Sequence, residues 1–534
     1  MDFLRHRAAL AQTRLIAVSA LLLLASCSTL QENAARRHSS ALAPTVDTAS
    51  ARYIDAERDK HPEGQSGFRL LTLSTNALMS RVALAASAER SLDLQYFIFR
   101  DDDTGQLIAQ QLLKAADRGV RVRVLVDDMK IDEEARLFEA LDSHPMIEVR
   151  LFNPFNTHRP GAISRTVQLM LDFRRLNRRM HNKSFIADNK VAIVGGRNIG
   201  DDYFDADEKS NFRDLDLLAI GPVVREASRS FDEYWNNPAS FPISGYPSAY
   251  SERSDLAEFR LQLDAHARGF EQSDYAQAVL EELPDGATAD RQGQWFWGPA
   301  VLVADQPQKI EDDDDKPGLR MAPRIQQMLD VAQTEVLAAS PYFVPGDQDK
   351  QALIALAKRG VTTQILTNSL ASTDQPAVHA GYSARRRDLL AGGVQLFELK
   401  PVAGVKQTLA QTGSSSGVSL HAKTMVVDRR YVFIGSMNMD QRSELLNTEM
   451  GFIVDSPALA KAVVDFLATI SLPANAYRVE LEHPATKSQD GGGQLVWKTN
   501  EGGKDVILTS EPGASPARRV EVLLMKILPI DSLL

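Results

Sequence analysis

With 534 residues, the chain is three to four times longer than a typical domain of ~150 residues, so more than one domain is expected. Its 44% hydrophobic and 24% charged residues exclude a disordered or collagen-like chain. The single cysteine excludes a disulfide framework, a cysteine-zinc site and an iron–sulfur cluster, and the net charge of −10 argues against a protein that coats nucleic acid.

The chain begins with a basic stretch containing Arg5, Arg7 and Arg14, then an apolar run from Leu15 to Leu24, then Ala25-Ser26-Cys27. That order of basic, apolar and small residues predicts a secretory signal over residues 1–26. The apolar run is too short to cross a ~30 Å hydrocarbon core comfortably. Leu24-Ala25-Ser26-Cys27 resembles the lipobox of bacterial lipoproteins. The resemblance implies lipidation of Cys27, a membrane tether and a periplasm-facing product, the outer membrane being favoured because Ser28, not Asp, follows the cysteine. An uncleaved anchor helix with a chance buried cysteine is the alternative. Removing residues 1–26 takes away three arginines and one aspartate, lowering the net charge from −10 to −12. The polar, Ala/Ser/Arg-rich residues 27–65 suit a flexible tether.

From Ser91 onward, short β-branched runs alternate with helical stretches. Ser91–Phe99 reads as a strand, a helix-period segment runs to Ala116, and Val120–Val126 and Ile147–Phe152 read as further strands. The alternation predicts an α/β sandwich around a substantially parallel sheet. The same order then recurs. Thr334–Phe343 matches the first strand, Leu356-Ala-Lys-Arg-Gly-Val361 matches Ala115-Ala-Asp-Arg-Gly-Val120 at an offset of 241 residues, and Val394–Leu399 matches the third strand. A near-constant offset over half the chain means a duplicated domain. The predicted organisation is a first lobe at 66–245, a connecting segment at 246–290, a second lobe at 291–475 and a C-terminal extension at 476–534. The acidic run Glu311–Asp315 reads as a solvated loop, not a metal site.

The repeat carries a motif. The first half holds His181-x-Lys183, Asp188, Gly195-Gly196 and Asn198; the second holds His421-x-Lys423, Asp428, Gly435-Ser436 and Asn438, at identical spacings. In a strand, residues i and i+2 face one side, so each His and Lys would point into one cavity. Lysine supplies a point charge for a phosphate oxygen, and asparagine supplies amide donors. Two such sets face to face would surround a phosphodiester, one imidazole attacking phosphorus and the other donating a proton to the leaving oxygen. The lysines supply positive charge, so no metal or cofactor is required. Asp188 and Asp428 are as readily structural turn residues as catalytic ones. A carboxylate is also wanted to orient each imidazole; aligning Gly221-Pro222 with Ser456-Pro457 sets Asp214 opposite Glu449 as candidates, a solvated strand start being the alternative. Arg174, Arg175, Arg178 and Arg179 lead into His181 and could bind an acidic headgroup, or form a solvated face. The other histidines (6, 38, 61, 144, 158, 266, 379 and 483) show no ligand spacing.

With these two motifs the chain resembles the phospholipase D superfamily over about residues 67–470. The resemblance implies a fold of two duplicated α/β/α lobes related by a pseudo-twofold axis, with the active site between them and a phosphohistidine intermediate. It also implies that His181 attacks, that His421 is acid and then base, and that Lys183, Lys423, Asn198 and Asn438 hold the phosphate. Tyr96–Gly105, Leu176–His181, Gly195–Gly200 and Leu446–Gly451 resemble the cardiolipin synthase C branch of bacterial enzymes. That branch implies transfer of a phosphatidyl group from one phospholipid to the glycerol hydroxyl of phosphatidylglycerol. A phospholipase releasing phosphatidic acid and a metal-independent periplasmic nuclease are the rival activities. Phospholipids and their membrane are the partners expected; nucleic acid is not, and an activating protein is unidentified. Arg518-Arg519 opens an apolar helix candidate through Leu528 that either lies in a membrane interface or packs on the body.

Overall fold

The computed structural model describes residues 36–43, 45–155, 162–245, 256–282, 294–311, 316–401, 417–482 and 493–526. The signal at 1–26, Cys27, residues 312–315 of the acidic run and residues 527–534 lie outside them.

Runs such as Val122, Val124 and Val126 are buried, as befits central strands packed on both faces. Among the described residues they belong to a nine-stranded sheet. Its order is Phe296–Gly298, Ser66–Leu71, Asp216–Ile220, Val191–Gly195, Ser184–Ala187, Ser91–Tyr96, Arg121–Asp127, Ile147–Phe152 and Ser240–Pro242. A second sheet of ten strands follows the order Ala300–Ala304, Met450–Asp455, Tyr431–Gly435, Thr424–Val427, Glu335–Ala339, Thr362–Asn368, Gln395–Leu399, Ala476–Glu482, Gln494–Glu501 and Lys504–Leu508. Past the edge strand Phe296–Gly298, the two orders correspond strand for strand through Ser240–Pro242 and Ala476–Glu482. The lobes are duplicates.

The expectation of a substantially parallel sheet is corrected. Only Ser91–Tyr96, Arg121–Asp127 and Ile147–Phe152 run parallel in the first sheet, and only Glu335–Ala339, Thr362–Asn368 and Gln395–Leu399 in the second. These are the strands joined by helical crossovers; the rest are antiparallel and include direct hairpins. The crossover helices Asp103–Asp117 and Asp347–Lys358 end alike, at Arg118-Gly119 and Arg359-Gly360. Gly119 and Gly360 take φ of 90° and 88°, a left-handed conformation that glycine adopts at low cost.

One apolar cluster runs through both lobes, joining Phe68, Val194, Leu217 and Trp235 to Leu337, Val432, Phe452 and Leu467. The backbone is also stitched across. Gly417–Leu420 pairs in parallel with Ser210–Arg213, and Met180 bridges Thr448. Helix Leu256–Glu271, from the polar region between the motifs, packs Phe259 and Leu263 into the first-lobe core, and Asp264 accepts from Gln110 at 2.7 Å. At the C-terminus, helix Pro516–Met525 docks through Val522 on Leu370 and Ala380 while Val520, Leu523 and Leu524 face outward. No helix among the described residues is long and apolar enough to cross a membrane.

Candidate active site

His181 and Lys183 lie in an extended segment just ahead of strand Ser184–Ala187, not within its ladder; His421 and Lys423 hold the same position ahead of Thr424–Val427. Neighbouring backbone from the other lobe fixes both segments. His181 N–H donates to the Thr448 carbonyl (2.9 Å), and His421 N–H to the Arg213 carbonyl (2.8 Å). Each lysine ammonium turns back onto the carbonyl of its own histidine.

Asp214 and Glu449 do orient imidazoles, and they do so crosswise. His181 Nδ1 meets Glu449 Oε2 at 2.8 Å, while His421 Nδ1 meets Asp214 Oδ2 at 2.6 Å. Each lobe therefore supplies the carboxylate for the other lobe's ring, leaving Nε2 of both rings for chemistry. The Gly/Ser difference inside the motif follows from the acids. A Cβ on Gly196 would stand 2.1 Å from Asp214 Oδ1, so the short acid needs glycine there. At the equivalent position Ser436 Oγ donates to the longer Glu449 at 2.5 Å, and Ser443 Oγ adds a second bond at 2.8 Å.

Burial sets the protonation states. Desolvation pushes His181 down to about 4 and His421 to about 3, against the opposing pull of Glu449 and Asp214. Both imidazoles are neutral at rest. Desolvation also lowers Lys183 to about 7 and Lys423 to about 8. Both carboxyls sit below their ordinary range, because the histidine and lysine beside each outweigh burial. Lys423 contributes to lowering His181, and Lys183 to lowering His421, so the two sets share one electrostatic site.

Several sequence expectations are corrected. Asp188 and Asp428 are not at the site; each follows a four-residue strand, about 13 Å long, that begins after the lysine. Asp188 accepts the backbone N–H groups of Glu89, Arg90 and Ser91, and Asp428 those of Gln333, Thr334 and Glu335. Both adopt φ of 52° in the hairpin turn, where aspartate is tolerated. Arg179 does not offer its guanidinium to a headgroup: it is buried, at 2.6 Å from Asp127 Oδ1. Arg175 pairs with Asp172, and Arg178, half-buried, reaches the Ile310 carbonyl across the lobes at 3.3 Å. The asparagines are unequal. Asn198 accepts from Ile98 N–H and donates one amide hydrogen to the Tyr203 hydroxyl, whereas the buried Oδ1 of Asn438 has no partner among the described residues.

Aromatic walls escaped sequence reasoning. Phe97 sets its edge against His181, with ring centroids 5.1 Å apart, and Tyr203 and Phe212 flank His421 at 5.1 and 4.9 Å. The sequence marks Phe97 as part of a strand and of the family-like segment Tyr96–Gly105, without placing it beside a histidine. Asp305, paired with Lys309, holds the Glu449 N–H at 2.8 Å; nothing in its local sequence marks it.

This arrangement can hold a phosphate between two cations and present a neutral ring nitrogen from either side. Residues 82–235 and 325–470 match the family described as cardiolipin synthase, PLD-like domain. The chain belongs to the cardiolipin synthase family of phospholipase D-like proteins. Within that family it is 40% identical over 480 residues to cardiolipin synthase C of Escherichia coli K12, covering 89% of this chain and 97% of the relative. It is 26% identical to a cardiolipin synthase of Oceanobacillus iheyensis, over 72% of this chain and 64% of that one. The crystal structure of phosphatidylserine synthase from Haemophilus influenzae Rd KW20 shares the family fold, with a TM-score of 0.53 at 13% identity over 88% of this chain and 95% of that chain.

Two substitutions separate position from chemistry in this family member. Gly196→Ala displaces Asp214 and turns the His421 ring; turnover is expected to fall about 100-fold, with an overpacking cost of about 1–3 kcal/mol, measured by initial rates beside urea unfolding. Asp428→Ala strands three backbone donors and is expected to cost about 1–3 kcal/mol of stability. Its turnover should stay within about twofold of wild type, and a larger loss would return Asp428 to the chemistry.

Proposed function

We propose that the chain is a phosphatidyltransferase that makes cardiolipin by transphosphatidylation through a phosphohistidine intermediate. The observation that carries this reading is the crossed pairing of His181 with Glu449 and His421 with Asp214 around Lys183 and Lys423. The 40% identity to a cardiolipin synthase supports the choice of reaction.

The phosphodiester of the donor phospholipid binds between the two ammonium groups. Its negative charge, with that of Asp214, favours the imidazolium of His421, which is neutral at rest. Nε2 of neutral His181 attacks phosphorus, the bond to the leaving alcohol breaks, and His421 gives that alcohol its proton. In the second half-reaction, neutral His421 takes the proton of the phosphatidylglycerol hydroxyl. The glycerol oxygen attacks phosphorus and the P–N bond to His181 breaks. Glu449 steadies the charge on the phosphorylated ring. Lys183, Lys423 and Asn438 stabilise the developing negative charge on the phosphoryl oxygens, with the remaining N–H of Asn198.

The proposal extends to location. Residues 1–26 direct export, lipidated Cys27 tethers the mature chain, and the periplasmic face of the outer membrane is the favoured site. Helix Pro516–Met525 supports a membrane surface as partner, since Val520, Leu523 and Leu524 are 56–61% exposed on one side of a helix that docks by the other.

Four experiments test these statements. Purified protein with labelled phosphatidylglycerol and phosphatidylethanolamine should yield cardiolipin. Phosphatidic acid as the sole product would instead make it a hydrolase, and metal-independent degradation of plasmid with steep salt dependence would make it a nuclease. His181→Ala or His421→Ala should each lower turnover by at least about 10⁴-fold, on the precedent of other catalytic units that include histidine. Because His421 acts as the acid with a free-enzyme value of about 3, kcat/KM should already decline as pH rises above that value. With lysine values of about 7 and about 8, the decline should steepen through that window, because the ammonium form is the one lost. Lys183→Arg, which stays charged, should remove the lower of the two lysine steps; an unaltered alkaline limb would discard the assignment. Finally, Cys27→Ser should move the protein from the membrane pellet to the soluble periplasmic fraction, and no incorporation of labelled fatty acid into wild type would end the lipoprotein reading.

A further inference from the structure

The duplicated lobes differ in what fills the space between sheet and helix beside the site. In the first, the space between the sheet and helix Ser74–Ser87 is filled by Arg81, Tyr96, Arg197 and Asp216, all at most 2% exposed. Arg81 Nη2 and Arg197 Nη1 lie 3.0 and 3.3 Å from Asp216 Oδ2, and Arg81 Nε donates to the Tyr96 hydroxyl. Arg197 also reaches the carbonyls of Leu71 and Asp214. These side chains form a closed polar plug.

Strand register fixes most of the equivalent positions. Ser184 pairs with Gln95 as Thr424 pairs with Ala339, so Ser340 stands for Tyr96. Gly195 faces Asp216 as Gly435 faces Gly451, so Gly451 stands for Asp216 and, two residues past the first member of each pair, Met437 stands for Arg197. In the second lobe the carboxylate, one guanidinium and the tyrosine ring are therefore all replaced. Phe433 lies over Gly451, where a Cβ would be 2.3 Å from its ring. Around it opens a cavity of about 530 Å³ walled by Ile325, Leu329, Leu353, Met425, Phe433 and Met437. Asn438 is part of the same wall, and its buried Oδ1 is the one without a partner.

Another part of the wall is polar, with Arg320, Gln326, Gln348, Asp349, Asp440 and Glu444, so the pocket joins an apolar wall to a polar one. Its size is within the range of ligand pockets. Its one contact with the reaction centre is at Asn438, beside the proposed phosphate position. We propose that this cavity takes one acyl chain of a phospholipid substrate whose phosphate lies between His181 and His421. The inference rests on the phospholipid reading above and adds a site to it. Among the described residues, Arg81 and Arg197 fill the equivalent space in the first lobe, so the two lipids of a transfer reaction are handled by unequal halves.

The test is photolabelling of the full-length protein in detergent with phosphatidylglycerol or phosphatidylethanolamine carrying a diazirine at the end of one acyl chain. Adducts are expected on peptides containing Leu329, Leu353 or Met425–Met439, and the lipid that gives them is the one whose chain enters. Ala352→Trp, at a half-buried wall position outside the catalytic set, should reduce those adducts at least tenfold. It should also lower kcat/KM for long-chain lipid at least tenfold, leaving short-chain dihexanoyl lipid within twofold; Gln326→Trp serves if that variant does not fold. Wild-type adducts confined to other peptides, or unchanged long-chain kcat/KM in a folded filled variant, overturn the proposal. Cardiolipin formation without cavity adducts removes the acyl site and keeps the transferase; cavity adducts without cardiolipin do the reverse.

Discussion

Each imidazole is held by a carboxylate from the other half of the molecule. His181 with Glu449 and His421 with Asp214 are buried pairs at 2.8 and 2.6 Å, and neither can form within a lobe alone. The backbone contacts beside them have the same cause. Thr448 accepts from His181 and Arg213 accepts from His421, so the segment that carries each acid also carries the brace for the opposite histidine. The shared apolar cluster through Phe68 and Phe452, whose rings meet at 5.9 Å, keeps the lobes in the register that both pairs require. A shift at the interface would misplace both rings together.

The price of this arrangement is a concentrated group of buried charges. Two carboxylates and two lysines lie inside, and desolvation falls hardest on the cations: both lysines drop to about 7 and 8, and both histidines below 5. The carboxylates stay ionised because they have the nearest partners and extra donors, Ser436 and Ser443 for Glu449 and the Leu215 N–H for Asp214. The resting site is therefore poised short of positive charge. An incoming phosphodiester anion supplies what makes the ammonium and imidazolium forms favourable, so substrate binding and protonation are linked.

Much of this was legible in the sequence, because duplication made a weak pattern strong. The paired His-x-Lys and Asn landmarks, and the alignment of Asp214 with Glu449, all survive in the structure. What sequence could not carry was partnership. The spacing of Asp214 and Glu449 is the same whether each serves its own lobe or the other; only packing makes the exchange. Asp188 and Asp428 repeat as faithfully as the histidines, yet their register reflects a hairpin turn that closes on backbone donors. Arg179 is adjacent to the motif and basic, but Asp127, fifty-two residues earlier, takes its charge. The parallel-sheet expectation failed similarly: β-branched runs identify buried strands, while direction depends on whether a crossover helix or a tight turn joins them.

Repetition also hides where the halves have separated. Gly196 beside Asp214 and Ser436 beside Glu449 are two solutions to one problem: a short acid approaches a glycine, and a longer one is pinned by a hydroxyl. The plug of Arg81, Arg197 and Asp216 against the opening around Met437 and Gly451 is a larger divergence of the same kind. A symmetric reaction would not need it, since the two histidines and lysines are already matched. A transfer in which one phospholipid is the donor and another the acceptor gives the two halves different work. Within the proposed mechanism, the ring that carries phosphorus and the ring that moves the proton stand on equivalent scaffolds, so their roles are separated by what each lobe lays beside its asparagine. Asn198, tied to Ile98 and Tyr203, is fixed; Asn438, bordering that opening, keeps its carbonyl oxygen unengaged. In the acyl site proposed there, the second lobe is the half with room for the substrate to extend past the phosphate.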